Sequence, residues 1–193
     1  GTGASRETGR VNSNGDFIAF MDSDDIWHPQ KLSKQIKLLQ ENPEAGMCYC
    51  PLATFYSLPI TGNEPVRMRS TIEYNDFLPI IFIRRPWGTG SCLWTREAIK
   101  KIGAWFPGWI NDDKEYECRA GCHDIKIVFH ADILFYYRIG DDINQLSRQP
   151  YNKHAEKRIM AIYQMSENLK NFGKETNKEI CRAYQLYVFS YVI

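Results

Sequence analysis

Asp16 to Met21 reads DFIAFM, a short and nearly unbroken apolar run. Such a run predicts a strand buried on both faces of a parallel sheet. It stops at Asp22-Ser23-Asp24-Asp25, and Trp27, His28 and Pro29 follow, with Pro29 suited to the first turn of a helix. From Pro29 to Glu41, Leu32, Ile36 and Leu39 recur at helical spacing and predict one apolar stripe, which Asn42-Pro43 ends. Met47 to Leu52 predicts a second strand, and the polar, irregular stretch 55–72, with Pro59, Gly62 and Pro65, a loop or insertion. Ile72 to Ile83 predicts a helix. Trp87 to Trp94 predicts a glycine-rich loop running into a strand, and Thr95 to Ile102 a short helix stopped at Gly103. Asn111 to Gly121 reads as a helix with acids at its start, where the helix dipole favours them. Ile125 to Phe129 and Ile133 to Tyr137 predict two more strands, and from Tyr151 the pattern is helical, in two segments broken near Gly173. Strands alternating with helices, without repeats or low-complexity tracts, argue for an α/β domain.

Composition narrows the classes. With 193 residues, 44% hydrophobic and 24% charged, the chain fits one soluble globular domain and excludes disorder, collagen and coiled coil as descriptions of the whole. Lys plus Arg is 24 and Asp plus Glu is 23, so a formal net charge of +1 gives no global field to draw in nucleic acid or an anionic membrane. An anionic ligand must be held by a local site. No stretch is long and apolar enough to span a bilayer, and the opening residues lack the basic start and apolar middle of a leader. The chain opens GTGASRETGR, without Met, and closes on AYQLYVFSYVI; both ends read as cut edges of a longer protein. The six Cys, at 48, 50, 92, 118, 122 and 181, fit free thiols in a reducing compartment. Cys118, Cys122 and His123 could seed a zinc site, but no second close-spaced couple exists, and buried or idle thiols are the expectation.

The strongest chemical signal is Asp22, Asp24 and Asp25 at the carboxyl end of a strand, where α/β sheets bind ligands. Carboxylates this close repel one another unless a cation intervenes. Oxygen ligands suit Mg²⁺ or Mn²⁺, particularly with substrate phosphates completing the shell. A helix N-cap explains one Asp and not three. A second acidic site is Asp112-Asp113 at a helix start, where a carboxylate facing a cleft can serve as general base or merely suit the helix terminus. Arg6, in GTGASRETG, can pair with an acid or a phosphate; the stretch lacks the Gly-Lys-Ser/Thr ending of a phosphate loop.

Taken together these residues resemble the family 2 inverting glycosyltransferases of GT-A fold. The family's G-x-x-x-A-R-N-x-G segment is similar to Gly1 to Gly9, and its apolar strand with D-x-D-D to Asp16 to Asp25. Its G-x-S-x-x-x-x-R segment is similar to Gly88 to Arg96, its V-G-x-F turn to Gly103-Ala104-Trp105-Phe106, and its E-D-x-x-x-x-x-R helix to Asp112 to Arg119. Glu7 stands where the family has Asn, and Gly140 where it often has a His after Tyr-Arg-x. The resemblance implies a Rossmann-like, mostly parallel sheet with flanking helices, covering residues 1–148 and lacking its first nucleotide-binding strands, followed by a helical segment, 149–193. It implies transfer of a sugar from a nucleotide-diphosphate sugar, UDP-linked in the first instance, to a saccharide or lipid-linked hydroxyl. The setting implied is surface polysaccharide or lipopolysaccharide synthesis in the cytoplasm, at the inner face of the membrane, with possible peripheral association. Asp24 and Asp22 would hold Mn²⁺ or Mg²⁺, Asp25 and Arg6 would support donor binding, Asp113 would be the base and Asp112 would take the family's Glu position. Trp87, Trp94, Trp105 and Trp109 flank the acceptor-side segments, and at least two of them are expected in the core.

Two other readings stand beside this one. A strand ending in D-x-D also opens haloacid-dehalogenase-type phosphatases, in which Asp22 would be a nucleophile and Asp24 an acid/base. Alternatively the chain is a non-catalytic interaction module docking through apolar stripes that include Ile159, Ile162, Tyr163 and Leu169.

Overall fold

The structure, a computed structural model, describes residues 1–56, 72–108, 110–139 and 154–192. The chain runs α1 (Thr2–Asn12), β1 (Phe17–Ile18), β2 (Ile26–Trp27), α2 (Lys31–Glu41), β3 (Ala45–Tyr49), β4 (Leu52–Phe55) and α3 (Ile80–Arg84). A 3₁₀ turn at Thr89–Ser91 leads into β5 (Leu93–Thr95), α4 (Arg96–Ile102), α5 (Asp112–Cys122), β6 (Lys126–Phe129), β7 (Phe135–Arg138), α6 (Ala155–Asn171) and α7 (Lys178–Val192).

The class is α/β, but the described strands form two small mixed sheets rather than one mostly parallel one. One sheet has the order β1-β5-β3-β6 and the other β2-β7-β4. Only β3–β6 and β4–β7 are parallel; β1–β5, β3–β5 and β2–β7 are antiparallel. The DFIAFM run is therefore not a strand buried between parallel neighbours. It gives two paired residues at a sheet edge, with Ile18 and Phe20 in the core and Met21 exposed. The single strand expected over Met47–Leu52 is two strands in different sheets. They part at Cys50-Pro51, where proline has no N–H to continue a ladder.

Two helices also depart from expectation. In Ile72–Ile83 only Ile80 onward is helical, because Leu78 precedes Pro79 and is biased away from the helical region. α2 buries Lys31, Gln35 and Leu39 and packs the partly buried Ile36 against the core, so Ile36 and Leu39 of the expected stripe face inward while Leu32 is exposed and Lys31 and Gln35 are buried beside them. β5, α4, α5, β6 and β7 match the pattern to within about two residues, whereas the pattern predicts neither α1 nor β2. Thr95 caps α4 by accepting from the Ala98 N–H, and Gly103 ends it at φ 88°, a left-handed angle that favours glycine.

The main core joins the first sheet to α4, α5, α6 and α7, with Met165, Leu169, Ile180, Ala183 and Tyr187 of the last two helices in the same cluster. Trp105 stacks on Tyr116 at 4.0 Å between centroids, and Phe77 on Trp94 at 5.5 Å. Trp87, Trp94 and Trp105 are all buried in this core, so none of them lines a cleft; Trp109 lies outside the described residues. Of the stripe expected on the C-terminal helices, Leu169 is core, Ile162 is partly buried, and Ile159 and Tyr163 are exposed. Cys118 and Cys122 are buried thiols, and His123 packs on the ring of Phe172. Among the described residues no helix is long and apolar enough to cross a membrane.

Candidate functional site

One cleft of about 550 Å³ gathers residues from distant parts of the chain: Arg6 of α1, the Asp22–Asp25 loop, Arg85, Thr89, the head of α5 at Asp112-Asp113, and Arg158 of α6. Both acidic sites marked in the sequence open onto it.

Arg6 joins them. Its Nη2 donates to Asp22 Oδ1 at 3.3 Å, its Nη1 donates to Asp112 Oδ2 at 3.1 Å, and its guanidinium lies 5.1 Å from the centroid of Trp105. The GTGASRETG stretch is thus helical, and its arginine holds acids rather than closing a phosphate loop. The close approach of α1 to α5 depends on Gly3: a Cβ there would lie 2.2 Å from Phe106 O and 3.1 Å from Asp112 Oδ2. Gly3→Ala is expected to push α1 outward, loosen Arg6 from Asp112 and destabilise the chain by about 1–3 kcal/mol, as read by urea unfolding. Glu7, where the family has Asn, accepts from Arg10 and from the Trp105 N–H at 2.9 Å, so it ties α1 to the turn after α4. Arg10 holds the Glu7 carboxyl below its ordinary value.

The acidic loop is graded in exposure. Asp22 is exposed, Asp24 is half-buried, and Asp25 is buried with its Oδ1 accepting the Arg138 N–H at 3.1 Å. Burial, with Asp24 and Asp22 adding repulsion, pushes the Asp25 carboxyl up to about 7. Asp25 therefore anchors the loop to β7, while Asp22 and Asp24 remain presented to the cleft. Among the described residues no three carboxylate, imidazole or thiol groups converge in a preformed metal cage. Mg²⁺ and Mn²⁺ are commonly held by one or two carboxylates with substrate phosphates and water completing the shell, and the hard oxygens of Asp22 and Asp24 fit that donor set. Gly140, Asp141 and Asp142 lie outside the described residues.

At the head of α5 the two aspartates differ. Asp112 is 6% exposed and accepts from Arg6 and from Thr2 Oγ1 at 3.0 Å; burial raises its carboxyl against the pull of Arg6. Asp113 faces the cleft. Its Oδ2 accepts from Arg85 Nη1 at 2.8 Å and Thr89 Oγ1 at 3.3 Å, and its Oδ1 from the Lys114 N–H at 2.9 Å. Burial opposes its charge, but Arg85, with Arg6 and Lys114, outweighs burial and holds the carboxyl below the ordinary range. Arg85 is clamped in turn by Glu117, one turn along α5, through bonds of 2.7 and 2.5 Å. Arg119 pairs with Glu115 at 2.7 Å and donates to the carbonyls of Ile102 and Ala104, fixing the turn after α4 against α5.

Sequence reasoning missed Arg85, Glu117, Thr89 and Arg158. Glu117 lies four residues after Asp113, the spacing that puts two residues on one helix face, and so was open to discovery. Arg85 and Arg158 carry no local signal; only the fold brings them here.

The chain belongs to glycosyl transferase family 2, whose family model matches residues 1–103. An uncharacterised protein of Mycobacterium tuberculosis is 31% identical over 88 residues, which cover 44% of this chain and 24% of that protein. An uncharacterised glycosyltransferase of Haemophilus influenzae is 35% identical over 72 residues, 33% of this chain and 24% of its own length. One from Methanocaldococcus jannaschii is 24% identical over 172 residues, 89% of this chain and 57% of its own. The fold matches that of S. aureus TarS 1-349, solved in complex with UDP-GlcNAc, at a TM-score of 0.65 and 15% identity, covering 100% of this chain and 61% of that one. The chain thus covers between about a quarter and three fifths of the lengths of these relatives.

Proposed function

We propose that this chain carries the reaction site of an inverting glycosyltransferase that moves a sugar from a nucleotide-diphosphate sugar, UDP-linked in the first instance, to an acceptor hydroxyl. The observation that carries the reading is the Arg6 bridge, which places the exposed Asp22 and the Asp112-Asp113 pair on one cleft. A single displacement needs a group on each side of the anomeric carbon, one for the leaving diphosphate and one for the attacking hydroxyl.

Asp22 and Asp24 would hold a divalent cation, Mn²⁺ or Mg²⁺, which when bound supplies Lewis-acid stabilisation of the diphosphate charge. Asp113 takes the proton of the acceptor hydroxyl. The charge–charge contact with Arg85 keeps it ionised at neutral pH, and the Thr89 and Lys114 bonds fix the direction of its oxygens. Asp112 holds Arg6, and Arg6 holds Asp22, so the head of α5 and the acidic loop keep a set spacing. Family resemblance supports a saccharide or lipid-linked acceptor in surface polysaccharide assembly at the inner face of a membrane.

The test is UDP release from a panel of UDP-sugars with saccharide acceptors and Mn²⁺. The expected result is release that needs acceptor and metal, stops with a chelator, and gives a product of inverted anomeric configuration by NMR. A retained configuration, or trapping of a phosphoaspartate on Asp22, would overturn the reading.

A further inference from the structure

Lys31 is fully buried on α2, and so is Gln35 one turn later. The contacts that the Lys31 ammonium makes here are the Gln35 Oε1 at 2.7 Å, the Cys92 carbonyl at 3.5 Å and the face of Trp27 at 4.5 Å. No carboxylate is among these contacts, and burial pushes the amine below its ordinary value. A buried cation in such company is costly unless its donors are met.

These contacts converge on one loop. Trp27 Nε1 donates to the Gly90 carbonyl at 2.9 Å, Gln35 Nε2 to the Ser91 carbonyl at 2.9 Å, and Lys31 Nζ to the Cys92 carbonyl. Three consecutive carbonyls are gripped by three side chains from the segment that follows the acidic loop. On its other side the loop presses on Phe135, against which Gly90 has no room for a Cβ: it would sit 2.4 Å from the ring. The residue this loop delivers to the cleft is Thr89, whose Oγ1 bonds Asp113 and receives Arg85 Nη2 at 3.2 Å.

We infer that Lys31, Gln35 and Trp27 are positioning residues that set the Thr89 loop against Asp113, so that the acceptor side of the cleft is held in register from the donor-side segment. The inference rests on the transferase reading above. Lys31 is not among the residues that line the cleft; it acts through the carbonyls, and its loss is expected to move the acceptor side and spare the donor side.

The experiment compares wild type, Lys31→Met and Trp27→Phe in steady-state transfer, with UDP affinity in Mn²⁺ measured separately and hydrogen exchange followed at the 89–92 amides. Trp27→Phe removes one bond and keeps an aromatic face for the ammonium, so it remains informative if Lys31→Met folds poorly. Misplacement on the scale of an ångström costs up to about 100-fold, so kcat/KM for the acceptor is expected to fall about 10- to 100-fold in Lys31→Met and less in Trp27→Phe. UDP affinity stays within about twofold, and the 89–92 amides exchange faster. Unchanged acceptor kinetics in folded variants, or an equal loss of UDP affinity, would overturn the inference. Absence of transfer by the wild type would instead overturn the transferase reading, and faster exchange in the variants would then still show the clamp holding the loop.

Discussion

Replacing Asp113 by Asn is expected to slow sugar transfer by about 10²- to 10⁴-fold, the range a positioned general base supplies, while leaving UDP affinity unchanged. Asn keeps the shape and can still accept from Arg85, but it takes no proton from a hydroxyl. The donor side is untouched, because Asp22 and Asp24 sit on a separate loop linked to α5 through Asp112, not Asp113. Asp112→Asn makes the comparison decisive. Asp112 is buried and committed to Arg6 and Thr2, so its loss is expected to loosen Arg6 and weaken UDP binding more than it slows chemistry. If Asp112→Asn gives the larger loss of turnover and Asp113→Asn only a modest one, the assignment of the base is wrong.

Arg85→Met carries the largest expected cost in stability. The Arg85 side chain is 10% exposed and serves two carboxylates, Asp113 and the 3%-exposed Glu117. Removing one partner of a buried pair leaves the other charge uncompensated, which costs about 3–5 kcal/mol and is measurable by urea unfolding at pH 7. The pH dependence follows from the same geometry. The Asp113 carboxyl lies below its ordinary value in the folded chain, so its pairing contributes stability above the unfolded pKa of about 3.9 and loses it as pH falls through the lower folded value. Without Arg85, burial has the larger say and the carboxyl rises. The acid limb of kcat/KM is therefore expected to move to higher pH in Arg85→Met, and Arg85→Lys should return it part of the way. An acid limb that stays in place would mean that Asp113 is not the group whose ionisation limits the rate.

Much of the site is legible in short motifs. Asp22, Asp24, Asp112 and Asp113 are readable in the sequence because they fall at or beside element ends, and Arg6, in the middle of α1, is readable only through the Gly1 to Gly9 motif. The structure brings all five to one cleft. What the chain did not disclose was pairing. DFIAFM reads as a central strand by composition, yet strand position depends on partners far away, here Leu93–Thr95 on one side only. Pro51 marks the break between β3 and β4, but an apolar run on both sides of it hides the switch of sheets. Lys31 and Gln35 look like the polar face of an amphipathic helix and are its buried face, since their polar heads are met by carbonyls that periodicity cannot anticipate. Arg85 is one of two adjacent arginines that close the apolar run Ile80 to Ile83 before Pro86, and nothing local separates it from Arg84. Its role comes from contacts 28 and 32 residues away.

On the proposed function, the acidic loop and the head of α5 form one site for a nucleotide diphosphate and its acceptor. The most direct measurement is the melting temperature of the chain with UDP, with and without Mn²⁺, in wild type, Asp22→Asn and Asp24→Asn. A ligand that binds only the folded state must raise the melting temperature. The expected shift requires Mn²⁺ and is lost in both variants. A shift that is independent of Mn²⁺, or that both variants retain in full, would contradict the proposed function.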